Sequence, residues 1–304
     1  MKWSKARKKE ALAGYLFISP WIVGFLLYIL GPLAASFVFS LWRWNLLEAP
    51  TYIGFSNYQL MVRNPEFWNA LRVTAVYSFC RVPLTVIIGL LLAILLNQKI
   101  KGLGLFRTIF YLPSVLPGVA VAMLWMWIFN PEFGLINWML DKFLGIQGPG
   151  WIYDEAWIIP SLILMSLWWV GANMLVYLAG LQGIPTELYE AAEIDGAGMA
   201  ARFFRVTLPM ISPVLFYNII ITLIQSFETF TQVYVMLGQT PRRNGQFFVL
   251  YLYNNAFKFF RMGYASALAW VFFFILVTFT LLIFKSSSAW VYYEGELKGD
   301  AKVG

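Results

Sequence analysis

Histidine is absent from the 304 residues, and cysteine occurs once, as Cys80. Without histidine there is no His-based triad, proton relay or histidine metal site. A lone cysteine forms neither an internal disulfide nor a thiolate zinc site. The pattern G-x-x-x-x-G-K-[S/T] is also missing, so the chain has no loop of its own to cradle nucleotide phosphates. Charge is scarce: Asp, Glu, Lys and Arg make up 12% of the residues, against about 25% in soluble domains. No catalytic site, metal or cofactor is expected in this chain.

Apolar side chains fill the gap. They are 60% of the chain, more than a water-facing surface could hide. Six weakly charged runs, residues 11–42, 73–97, 108–130, 156–181, 206–237 and 262–284, each reach the roughly 20 residues that cross a bilayer. Unbroken apolar runs mean helices, since barrel strands alternate. The expected fold is therefore an all-α integral membrane protein with six transmembrane helices. The first run follows a basic segment but is 32 residues long, beyond the roughly 7–15 of a signal-peptide core, so it reads as an uncleaved helix.

Six spans put both termini on one side. That side then carries thirteen of the 22 lysines and arginines, including Lys2, Lys99, Lys101, Lys298 and Lys302, and the other side eight. The positive-inside rule makes it the cytoplasm, although the loop at 238–261 is more basic than the rule favours. The net charge of +7 is thus mostly an orientation signal, and its scattered cations form no nucleic-acid groove. Residues 1–10 and the 285–304 tail are read as cytoplasmic, and loops 48–68 and 131–155 as external surfaces that can hold short helices.

One polar island interrupts the greasy runs, at Thr186-Glu187-Leu188-Tyr189-Glu190-Ala191-Ala192-Glu193-Ile194-Asp195-Gly196. Thr186 is expected to cap a short helix whose first turns hold Glu187 and Glu190, where the dipole favours anions. Gly196 suits a left-handed stop. Leu188, Ala191 and Ala192 share a face that lets another backbone approach. The segment is acidic, which argues for a protein rather than an anionic lipid surface as its target. Glu190-Ala191-Ala192, three residues, Gly196, nine residues, then Val206-Thr207-Leu208-Pro209 resembles the E-A-A loop of permease subunits of bacterial ABC importers. Tyr15-Leu16-Phe17-Ile18-Ser19-Pro20, Ala179-Gly180-Leu181-Gln182 and Gly263-Tyr264-Ala265-Ser266-Ala267 are similar to the carbohydrate branch, so the likeness spans residues 11–293.

The resemblance implies a type I, MetI-like permease fold in the bacterial cytoplasmic (inner) membrane, with a coupling loop at 182–209. It implies half of a pore completed by a second, non-identical permease subunit. Two copies of a cytoplasmic ATPase, which hold the ATP and magnesium, and an external solute-binding protein would complete the importer. The implied cargo is a sugar or oligosaccharide, with glycerol phosphate or an amino acid as alternatives. Glu187, Glu190, Ala191, Ala192, Asp195 and Gly196 would contact the ATPase. A self-sufficient secondary transporter is the rival from another class, but it would want more intramembrane carboxylates or histidines than are present.

Inside the runs, charges are costly and point to function. Arg81 lies in the second and Glu228 in the fifth. Asn218, Gln225, Thr229 and Gln232 are spaced to share one helical face close to Glu228. That stripe reads either as a substrate-lining wall or as interhelical glue. Glu228-Thr229-Phe230-Thr231 stands where relatives often carry Gln-x-Phe-Asp, so the acid is displaced. Arg81, where relatives usually have a small or apolar residue, is open to three roles: binding an anionic group, neutralising Glu228, or snorkelling to the interface. Asn173 with Trp168 and Trp169 forms a second patch, as a platform for a sugar ring or as belt and packing. Pro113 and Pro117 are expected to bend the third span.

Overall fold

A computed structural model describes residues 5–98, 102–239 and 241–292. Lys2, Lys99, Lys101, Lys298 and Lys302, which bear on orientation, and the tail from residue 293 lie outside the described residues. The chain forms two compact units, Met1–Asn64 with Leu252–Phe273, and Pro65–Tyr251 with Phe274–Gly304. Helix prevails in both, because a backbone in hydrocarbon must satisfy its polar groups within its own segment.

In the first unit, α1 (Lys5–Phe25) passes through a π-helical turn at Leu26–Leu30 into α2 (Gly31–Ser40). The turn adjoins Pro32, which lacks an N–H, and the Gly31 N–H reaches back to the Leu26 carbonyl instead. Phe17 and Tyr28 on this run are 89% and 82% exposed, as suits a lipid-facing surface. A short antiparallel ribbon follows, β1 (Trp42–Arg43) on β2 (Thr51–Tyr52), pairing Trp42 with Tyr52. Then comes α3 (Ser56–Arg63). The buried Asn57 amide donates to the Ser40 and Trp42 carbonyls at 2.8 and 2.9 Å, satisfying the end of α2.

The second unit opens with α4 (Pro65–Leu96), which continues through Pro83. Next, α5 (Leu103–Tyr111) and a 3-10 turn at Leu112–Val115 lead to α6 (Gly118–Ile128). The third run, expected over 108–130 with a bend at Pro113 and Pro117, does bend there, by 100° between Leu103–Val115 and Gly118–Ile128. Pro113 and Pro117 remove two N–H donors, and Leu116, just before Pro117, is extended (φ −73°, ψ 138°), as a pre-proline residue prefers. The loop at 131–155 holds α7 (Leu135–Leu144). The fourth run is α8 (Ile158–Ser166), a 3-10 turn at Leu167–Trp169 and α9 (Val170–Gln182). After α10 (Thr186–Ile194) come α11 (Met199–Arg202), a π-helical turn at Phe203–Thr207 and α12 (Leu208–Phe227). The helix stops at 228–230 and resumes as α13 (Thr231–Leu237). An unexpected α14 (Phe248–Tyr253) lies in the 238–261 loop, and α15 (Met262–Ser287) closes the described chain. Among the described residues, five helical runs are long and apolar enough to cross a membrane, or six with the bent pair.

The packing centre of the second unit is α4, α9 and α12. Met174, Tyr177 and Leu181 of α9 pack on Leu90 and Ala93 of α4 and on Ile211 and Leu215 of α12. A second cluster joins Tyr77, Trp125, Phe129, Met165, Val233 and Phe247. Small residues let these helices approach. A Cβ at Gly171 would run into the Phe110 carbonyl oxygen of α5. Gly171→Ala is therefore expected to cost about 1–3 kcal/mol by overpacking. A lowered unfolding midpoint in detergent checks this, and an unchanged one contradicts it.

Candidate functional site

Three of the membrane-length runs in the second unit are broken, and all three breaks meet one cavity. The cavity, of about 380 Å³, is lined by Ser114 of the 112–115 turn, Trp169 of the 167–169 turn, and Glu228, Thr229 and Phe230 of the 228–230 break. Irregular backbone at membrane depth is tolerated where it lines a wet cavity, because water or ligand can satisfy the freed groups. The rest of the wall comes from α4, α8, α9, α12 and α13, through Tyr77, Arg81, Thr85, Met165, Ser166, Ala172, Asn173, Thr222, Gln225, Thr231 and Gln232.

Arg81, Asn173, Gln225, Glu228, Thr229 and Gln232 are thus gathered on one surface. The stripe itself needs correction: no single helical face carries it, because the helix ends at Phe227 and Gln232 belongs to α13. Glu228 stands at the C-terminal end of α12, its N–H bonded to the Ile224 carbonyl at 3.1 Å. Asn218 does not line the cavity. It is buried behind the wall, where its carbonyl oxygen accepts from Asn173 Nδ2 at 3.0 Å and its own amide donates to the Val214 carbonyl. Asn173 also donates to Thr222 Oγ1 at 3.0 Å, so two positions on α12 aim one amide. Asn218→Leu is expected to leave Asn173 underbonded at about 1–3 kcal/mol, seen as a lower unfolding midpoint and a raised half-saturation for transport. Equal values for variant and wild type would refute that positioning role.

Of the aromatic pair, Trp169 lines the cavity, whereas Trp168 packs edge-on against Trp125, with ring centroids 5.7 Å apart. Arg81 donates to Thr229 Oγ1 at 3.4 Å and lies 5.8 Å from the centre of the Tyr77 ring. Tyr77, Thr85, Ser114 and Ser166 gave no sequence signal beyond single polar positions in apolar runs. The paired prolines at 113 and 117 were the available hint for Ser114.

The polar island is a helix, α10, with no buried residue. Thr186 is its first residue rather than its cap. Pro185 takes the position before it, at an extended ψ of 133°, and its ring offers no oxygen to cap the end. The far end closes as expected: Gly196 is left-handed at φ +76°, with Ala197 N–H bonded to the Ala192 carbonyl and Gly196 N–H to the Glu193 carbonyl. Two contacts tether the helix, Tyr189 hydroxyl to Thr207 Oγ1 at 3.0 Å and Arg202 to Glu193 at 3.2 Å. Glu187, Glu190, Ala191 and Asp195 are exposed, Ala192 is half-buried, and the apolar Ile194 and Met199 are 87% and 83% exposed.

Residues 85–291 match the family described as binding-protein-dependent transport system inner membrane component. The chain belongs to that family. This permease is 43% identical to the probable ABC transporter permease protein YesP of Bacillus subtilis, over 97% of each chain. It is 34% identical to the trehalose/maltose transport system permease protein MalF of Thermococcus litoralis, over 93% of this chain and 96% of that one. Its fold matches a chain of a bacterial alginate ABC transporter, crystallised with an alginate-pentasaccharide-bound periplasmic protein. The TM-score is 0.82 at 24% identity, over 92% of the permease and 95% of that chain. The matched region contains α10 and every cavity residue except Tyr77 and Arg81.

Proposed function

We propose that this permease is the translocation-pore subunit of an ATP-driven importer for a sugar or oligosaccharide, with hydrolysis on a separate ATPase. The observation that carries the coupling is α10, an acidic, glycine-terminated helix with no buried residue, on a chain without a phosphate-binding loop. Apolar Ile194 at its end and Met199 just beyond it, both largely exposed, suit a protein cleft rather than water. The cavity supplies the other half: hydroxyl, amide and carboxylate groups that can exchange hydrogen bonds with sugar hydroxyls, beside the aromatic Trp169, Tyr77 and Phe230. The relatives' named cargoes, trehalose/maltose and alginate among them, agree with that chemistry.

In this reading both termini and α10 face the cytoplasm of a bacterial inner membrane. A second permease subunit completes the pore, two ATPase copies hold the ATP and magnesium, and an external binding protein delivers the cargo. Closure of the ATPase pair pushes on Glu187–Gly196 and swings the helices between inward- and outward-open states. Cross-linking tests the contact. Ile194→Cys in a Cys80→Ser background should form an oxidant-induced disulfide or a bifunctional-reagent adduct with the ATPase in membranes holding the whole importer. An intact importer giving no adduct at this position would remove α10 as the docking element.

A further inference from the structure

We infer that the saccharide taken by this cavity is anionic, and that Arg81 holds its carboxylate. The inference rests on the saccharide reading above and narrows it. Its starting point is an unbalanced cation. Arg81 stands on α4 within an apolar run, where a guanidinium is costly unless an anion or a wet cavity receives it.

The contacts Arg81 makes do not settle its charge. Its terminal nitrogen reaches one neutral acceptor, Thr229 Oγ1, at a long 3.4 Å. The Tyr77 ring is 5.8 Å away, and the Nε has no hydrogen-bond partner. A guanidinium presents five donors in a planar fork, so most of its capacity is unused. Glu228 lies in the same cavity yet does not pair with it: no Arg81–Glu228 contact falls within 4 Å. Mutual neutralisation, the second of the roles open to Arg81, is therefore not what the geometry delivers. Nor does the side chain snorkel outward, since it belongs to the cavity wall and its Nε is buried.

Two opposite charges that line one polar cavity without pairing divide the work. Arg81 matches a carboxylate through two parallel N–H···O bonds, a geometry that a sugar hydroxyl cannot reproduce. Glu228, an acceptor only, is left for hydroxyl donors. Asn173, Gln225 and Gln232 add neutral donors and acceptors, and Trp169 offers a face to the ring. The occupant that uses all of these is a uronate-containing sugar rather than a neutral one. At about 380 Å³ the cavity has the size of a small-ligand site.

Transport by the complete importer in proteoliposomes tests this, with matched neutral and uronate disaccharides of galactose, glucose and mannose as probes. The wild type should favour the uronate member of the accepted pair. Arg81→Leu should lower the uronate-to-neutral uptake ratio by roughly tenfold or more, and Arg81→Lys, which keeps a point charge without the fork, should lower it less. Co-purification of all subunits confirms that each variant assembles. Wild-type uptake of neutral sugars alone, or an unchanged ratio in assembled Arg81→Leu importers, overturns the anionic assignment and leaves the saccharide reading standing. Uptake of neither class overturns both.

Discussion

Replacing Gly196 by aspartate is expected to reduce ATP-driven uptake by roughly tenfold or more while leaving the permease inserted and folded. Gly196 ends α10 at φ +76°, and an added Cβ there meets nothing within 4 Å of the permease itself. Any clash must therefore be with whatever docks on the helix. The left-handed conformation alone costs an ordinary residue about 1–2 kcal/mol, comparable to a tenfold rate change. Aspartate also adds charge to an end already carrying Glu193 and Asp195. Gly196→Asn, which visits this conformation more readily and is neutral, should be milder, and Gly196→Val, which strains the backbone most, should match aspartate. The readouts are uptake and the amount of ATPase recovered on the membranes. Normal uptake by the aspartate variant would end the assignment of this helix to coupling.

Glu228 carries the second large effect. Its carboxylate sits at a helix break on the cavity wall, where a hydrogen bond from a sugar hydroxyl to a charged acceptor contributes about 1.5–3 kcal/mol. Glu228→Gln keeps the shape and weakens the acceptor, so uptake should fall by about tenfold or the substrate preference should shift. Glu228→Leu should be worse for uptake yet leave the protein in the membrane, since it removes a charge from an apolar run. Assembly, followed by co-purification in detergent, should survive both changes. If both variants transport normally and the complex falls apart instead, Glu228 is interhelical glue and the cavity loses its main claim to be the pathway.

How much of this could be read from the sequence depends on the range of the interaction involved. The polar island and its glycine stop were legible because helix termination is decided by residues within a few positions, and Gly196 is left-handed as its type requires. Thr186 was misplaced for a local reason too, Pro185 taking the position before the helix. Hydropathy marked the apolar runs but is blind to direction, so it could not turn the third run through 100° at Pro113 and Pro117. The same blindness hid the break at 228–230, so the periodicity argument carried Gln232 onto the face of α12; of the two readings left open for the stripe, Asn218 takes the interhelical one. Asn218 is there to aim Asn173, 45 residues away, a contact that only tertiary packing of α9 on α12 creates. Arg81 and Glu228 were visible as charges out of place. That they share a cavity without pairing was not.

On the function proposed above, this chain passes saccharide through its cavity only when a separate ATPase, docked on α10, hydrolyses ATP. The most direct measurement is uptake of a labelled saccharide into proteoliposomes, made first with this chain alone and then with its sister permease, ATPase and binding protein. No ATP hydrolysis and no uptake are expected from the chain alone, both activities from the full set, and loss of uptake with Gly196→Asp. Gradient-driven accumulation by the chain alone would contradict that function and make the protein a secondary transporter.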